Sequence, residues 1–203
     1  MIKLPPLPYE YDALEPALSA HQLKTHYDKH TRKYYDTLND LIKGTIYEDV
    51  ETLEELLTKK TLASMDSILF NNAAQAWNHT FLWNSLTPNA ETQSTNKELA
   101  DQIKTDFGSL AAMKKLFIEK ATQHFGSGWC WIVLKNGKLV IKTSPNATTP
   151  LVTTGEHPLA TIDLWEHAYL YDPQYEADRT AYINSMWTLL NWNFIYDNFA
   201  AAK

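Results

Sequence analysis

Seven histidines, at positions 21, 26, 30, 79, 124, 157 and 167, are divided by their spacing into those placed for chemistry and those that are not. His26, His30 and Tyr34 follow at four-residue steps inside a predicted helix, so they share a slowly rotating face that otherwise carries Leu and Tyr. Gln75 and His79 repeat that step in a second predicted helix, flanked by Trp77, Phe81 and Trp83. A buried Gln has several hydrogen bonds to satisfy and is a poor filler unless something polar lies beside it. In Asp163-Leu164-Trp165-Glu166-His167 a carboxylate and an imidazole stand four apart within an apolar, aromatic stretch. Singly, these have plain structural readings: a core histidine bonded to a carbonyl, or an Asp–His hydrogen bond at a strand end. Together, three imidazoles and one carboxylate from three segments form a mixed nitrogen and oxygen set suited to a first-row transition metal. The single cysteine, Cys130, argues against a thiolate zinc site. No Ser–His–Asp signature, phosphate-cradling glycine loop or dinucleotide fingerprint is visible. Periodicity and composition reach a buried metal site and stop there.

The elements that must position these residues change character along the chain. Pro5, Pro6 and Pro8 make the start an extended arm. Helix signals run from Ser19, an N-cap, to Gly44, a stop. Val50 to Leu57 is a short helical patch, and residues 61–86 read as a second long helix, predicting an antiparallel pair. The polar stretch 87–95 reads as a linker. Beyond it come helices over 96–107 and 109–125, capped by Asn96 and Ser109, and two strand-like runs around Asn136-Gly137, a strong hairpin signal. A third strand-like run covers 159–165, and an amphipathic helix 180–199. The reading is α+β: an N-terminal antiparallel helical hairpin (1–88), then an α+β domain with a small antiparallel sheet (89–203).

The chain has 203 residues, enough to close a substantial core. Eighteen Lys and Arg against 24 Asp and Glu give a formal net charge of -6, which counts against a general nucleic-acid binder. One cysteine fits a reducing compartment. No apolar run approaches the roughly 18 residues that span a bilayer, and the first residues lack a secretory pattern. The expectation is a cytoplasmic globular protein without membrane or nucleic-acid partners.

From LPPLPYEYDALEP through the C-terminal helix the chain resembles the iron/manganese superoxide dismutase family. The matching segments are HYDKHTRKYY around His26, FNNAAQAWNHTFLWNSLTP around His79, FGSGWCWIV around Trp129 and DLWEHAY around Asp163 and His167. The resemblance implies a three-stranded antiparallel sheet in the second domain and a homodimer that disproportionates superoxide to O2 and H2O2. The implied chemistry is one-electron cycling of a single Fe(III)/Fe(II) with coupled proton uptake. It makes His26, His79, Asp163 and His167 the metal ligands and Gln75 the partner of a solvent in a fifth position. Tyr34 would bond Gln75 and guard the access channel beside His30. Trp77, Trp129 and Trp165 would wall the metal, and Glu166 would reach the partner subunit's His167. Lys29 and Arg179 are candidates for attracting the anionic substrate.

Within the family, iron-type members take the solvent-bonding Gln from the second helix, as Ala73-Ala74-Gln75 stands here, opposite Ala147 on the sheet side. Iron is therefore expected, with a manganese or dual-metal enzyme as the alternative. A non-catalytic metal-binding module and a non-haem iron oxygenase or hydrolase are the rivals from other classes. Two departures bear on the dimer: Leu170 stands where the family carries a second Tyr that bonds the partner's His30, and the following stretch is about two residues longer. Tyr171 is a substitute candidate. His21, His124 and His157 match no functional position and are expected at the surface or in caps. Cys130 is expected as a small buried apolar residue, and the charged run 48–60 as a solvated face.

Overall fold

Ser19 opens the first helix as expected, its Oγ accepting the Gln22 N–H at 3.2 Å. The computed structural model describes residues 1–59, 62, 68–93 and 95–203. The first helix runs as α1 (Ala20–Thr25), a π-helical turn (His26–Thr31) and α2 (Arg32–Ile42). Pattern alone did not show the π turn. Within it the Arg32 N–H bonds Tyr27 O, five residues back, while Thr31 Oγ1 donates to His26 O at 3.1 Å. The sequence stop lies just beyond, with Gly44 in the left-handed region at φ +70°.

Thr52 caps α3 (Leu53–Thr58) through a 3.1 Å bond from Glu55 N. The second long helix, α4, spans Ile68–Ser85; of the expectation for 61–86, residues 61 and 63–67 lie outside the described residues, as does Lys60 of the 48–60 run. The stretch 87–95 is no free tether: it holds a 3-10 turn (Ala90–Thr92), and Gln93 bonds Asn191 Oδ1 and accepts from Asn193 N. Ser94 lies outside the described residues.

Asn96 and Ser109 cap α5 (Lys97–Phe107) and α6 (Leu110–Gln123). Strands β1 (Gly128–Lys135) and β2 (Lys138–Pro145) meet at Asn136-Gly137, both with positive φ as a two-residue turn of this kind demands. The third strand, β3, runs Glu156–Asp163, earlier than the expected 159–165, because Leu164 and Trp165 leave the ladder. The sheet is antiparallel in the order β2-β1-β3. It packs β3 against α4 and the C-terminal helix, and β2 against α5 and α6.

The expected helix 180–199 is two helices, α7 (Arg179–Thr188) and α8 (Trp192–Ala201). Leu190 pairs with Leu86 in an isolated bridge, and Asn191 N donates to Ser85 O at 2.8 Å. Asn191 then caps α8 through Phe194 N, so this Asn serves as a helix start and not as an interior residue. The break clips the C-terminal helices to the end of α4.

Candidate metal centre

Four side chains from both halves of the chain converge. His26 begins the π turn, His79 lies on α4, Asp163 ends β3, and His167 sits on a one-turn 3-10 helix (Glu166–Ala168). Their potential ligand atoms lie within 4.8 Å of one another. One atom, Asp163 Oδ2, has the Nε2 of His26 at 3.1 Å, of His167 at 3.1 Å and of His79 at 3.6 Å. Two bonds of ~2.1 Å to a shared centre hold their donor atoms ~3.0 Å apart at a right angle. Asp163 Oδ1 is occupied separately, accepting the Trp165 N–H at 2.8 Å.

The donor set fits a cation and fits poorly without one. Asp163, His26 and His79 are buried and His167 nearly so. His79 Nε2 has no hydrogen-bond partner, and its Nδ1 lies 2.7 Å from Gln75 O, an acceptor. With the proton on Nδ1, Nε2 presents a bare lone pair toward the carboxylate, an unfavourable arrangement in a buried place unless a cation lies between them. Burial lowers the proton affinity of His26 and His79, so their rings are neutral. Burial opposes charge on Asp163 too, but the charge of His167 and the bonds from His167 and His26 outweigh it and hold the carboxyl well below the usual range. An ionised carboxylate ringed by imidazoles is a receptor for a divalent or trivalent first-row metal.

Around the donors lies an aromatic shell. Trp83 meets the His26 ring edge-on at 4.8 Å, and its Nε1 donates to Thr31 Oγ1, tying the π turn to α4. Trp129 stands across the ladder from Asp163, meets His79 at 5.0 Å and donates to Gln75 Oε1 at 3.1 Å. Gln75 Nε2 donates to Tyr34 Oη at 3.4 Å. Burial, with the Asp163 charge second, pushes the Tyr34 phenol up to about 12, so it keeps its proton at neutral pH. His30 stacks on His167 at 4.3 Å, and Trp165 flanks that ring at 5.6 Å. Burial, followed by the charge of His167, lowers His30 to about 4.

Trp77 is the residue that stays apart. Two positions beyond Gln75 it points to another side of α4, where it donates to Glu54 Oε1 at 2.7 Å and stacks on Phe81. Trp83 occupies the wall position instead, and the signal was available: it lies four residues beyond His79 on the same face. Arg179 is also less available than expected. Its Nη1 donates to His124 O and its Nη2 to Gly126 O and Leu164 O, each at 2.9 Å, binding the end of α6 to the exit of β3. Lys29 is exposed on the π turn. His21 and His157 are exposed, His124 closes α6 beside Ser127 O, and Cys130 is fully buried.

The fold and this centre define a class. Residues 1–87 match the family model described as iron/manganese superoxide dismutases, alpha-hairpin domain, and residues 95–198 match the C-terminal domain of the same description. The chain belongs to the iron/manganese superoxide dismutase family. Its relatives include proteins named Superoxide dismutase [Fe] from Salmonella typhimurium and Escherichia coli K12, each 48% identical over 200 residues and 98% of both chains. A third, of the same name from Coxiella burnetii, is 46% identical over 198 residues, 97% of each chain.

Proposed function

We infer that this chain is an iron-dependent superoxide dismutase, with superoxide as substrate and O2 and H2O2 as products. The observation that carries it is the convergence of three imidazole Nε2 atoms on one buried, ionised carboxylate oxygen, with His79 Nε2 left unpartnered. His26, His79, Asp163 and His167 are the residues that hold the ion. Iron bound there supplies one-electron redox chemistry, oxidising one superoxide and reducing the next. Trp129 and Tyr34 orient the Gln75 amide from its two ends. Tyr34 Oη holds a proton close to the centre, and His30 lies beside it. Trp83, Trp129 and Trp165 exclude bulk water and keep the local dielectric low, which favours small, charge-balanced steps.

Iron is favoured over manganese because Gln75 comes from α4 and the facing sheet-side residue is the buried Ala147, whose carbonyl Asn78 Nδ2 holds at 3.2 Å. The relatives' printed names point the same way. Dimerisation through Glu166 is supported by its exposure and by the His167 Nδ1, which has no hydrogen bond within the chain among the described residues. Phe125, Leu170 and Tyr171 present an exposed apolar edge that a second copy would cover. Among the described residues no helix is long and apolar enough to cross a membrane; a cytoplasmic location and a domain boundary at 88/89 complete the proposal.

Elemental analysis of the purified protein, with superoxide decay measured after reloading with iron or with manganese, tests this. Activity is expected with iron. Activity with manganese alone would overturn the metal assignment, and a loaded but inactive protein would overturn the catalytic one.

A further inference from the structure

Of the four donors, His167 has the least secondary structure beneath it. It lies on a single 3-10 turn between the exposed Glu166 and the exposed Leu170, and its side chain keeps 11% of its surface. Something else must hold its backbone. Gln22 does: fully buried on α1, one turn before His26, it donates from Nε2 to His167 O at 2.7 Å and accepts the Tyr171 N–H on Oε1 at 2.9 Å. A single amide therefore couples the helix that carries His26 to the turn that carries His167, and these two rings are the two that approach Asp163 Oδ2 to 3.1 Å. The bonds cross 145 and 149 residues of sequence. A neighbouring seam, Ser19 N to Asp172 Oδ2 at 2.8 Å and the Tyr175 hydroxyl to Ala17 O, holds the rest of the segment but does not touch His167.

We propose that Gln22 is a positioning residue of the metal centre: acting through the His167 carbonyl, it sets the separation of the His26 and His167 donors. This rests on the reading that the four donors hold iron. An amide is suited to the task because it must give and accept at once in a place with no water to substitute. Gln22→Met removes both bonds with little change of volume. Gln22→Glu keeps an acceptor for the Tyr171 N–H and loses the donor to His167 O. Asp172→Ala cuts the neighbouring seam and serves as the control for a merely structural effect.

The test uses the iron-loaded full chain and reads the electron paramagnetic resonance spectrum of the ferric form and the rate of iron loss to a chelator, beside the melting temperature. Supporting bonds around metal ligands commonly change affinity 10- to 100-fold, so both Gln22 variants are expected to lose iron roughly 10-fold faster and to show a changed ferric signal. Asp172→Ala is expected to melt lower with the wild-type signal. The proposal is overturned if the Gln22 variants keep the wild-type signal and iron-loss rate, or if Asp172→Ala changes them equally. Should Gln22→Met not fold, Gln22→Glu decides alone. A wild-type chain that holds no iron at these residues would refute the underlying reading, an outcome separate from either of these.

Discussion

Strand β3 carries a buried carboxylate at each end, and the two are answered differently. At its start Glu156 meets two ammonium groups, Lys135 at 3.0 Å and Lys142 at 2.6 Å, so its charge is cancelled within the protein. At its end Asp163 meets three imidazoles whose partner-poor nitrogens bring no fixed charge. The same residue chemistry on the same strand gives a structural ion pair in one place and a cation receptor in the other. What separates them is whether the protein supplies the counter-charge or leaves it to a ligand.

The sharpest way to break this comparison is Asp163→Asn, which keeps the shape and removes the charge. Iron content by elemental analysis is expected to fall by at least ~10-fold, with superoxide decay reduced to background. An Asp163→Asn protein that retains iron would show that the imidazoles suffice. At the other end, Glu156→Gln is expected to leave iron content and specific activity unchanged while costing about 1–3 kcal/mol in urea unfolding.

The pH dependence sharpens the contrast. Burial of Glu156 opposes its ionisation, but the bonds from Lys142 and Lys135 prevail and lower its folded value. Its contribution is therefore fully present above the unfolded carboxyl range of ~4.3 and is lost as pH falls through the lowered folded value. Urea titrations of the wild type and Glu156→Gln are expected to stay separated by a constant amount from neutrality to about pH 5 and to converge at lower pH. The smallest effect is expected from Trp83→Phe, which removes the donor to Thr31 Oγ1 and thins the packing on His26. A loss near ~1 kcal/mol, with iron retained, is the anticipated result.

Much of this was legible because local rules set it. Four-residue steps placed His26, Gln75 and His79 on inward faces, the capping residues Ser19, Asn96 and Ser109 marked helix starts, and Asn136-Gly137 marked the hairpin. The ligand set itself came from the family segments rather than from periodicity. What stayed hidden depends on partners far along the chain. Gln22 looks like a surface residue of a polar first turn until the 167–171 backbone arrives to bury it. Asn191 looks helical until Ser85 and Leu86 draw its neighbours into an extended bridge. Trp77 looks like a cavity wall from its neighbours in sequence, yet its position on the helix sends it toward Glu54.

The widened turn at His26–Thr31 also constrains how this chain can change length. Excising one residue there would let the helix close into ordinary winding, but each residue of an α-helix turns the chain about 100°, so the segment before the cut would swing away from the segment after it. Gln22 would leave His167, and Trp83 would lose Thr31. Insertions and deletions are thus confined to stretches such as 170–178, where an added residue lengthens a surface loop without rotating anything inside.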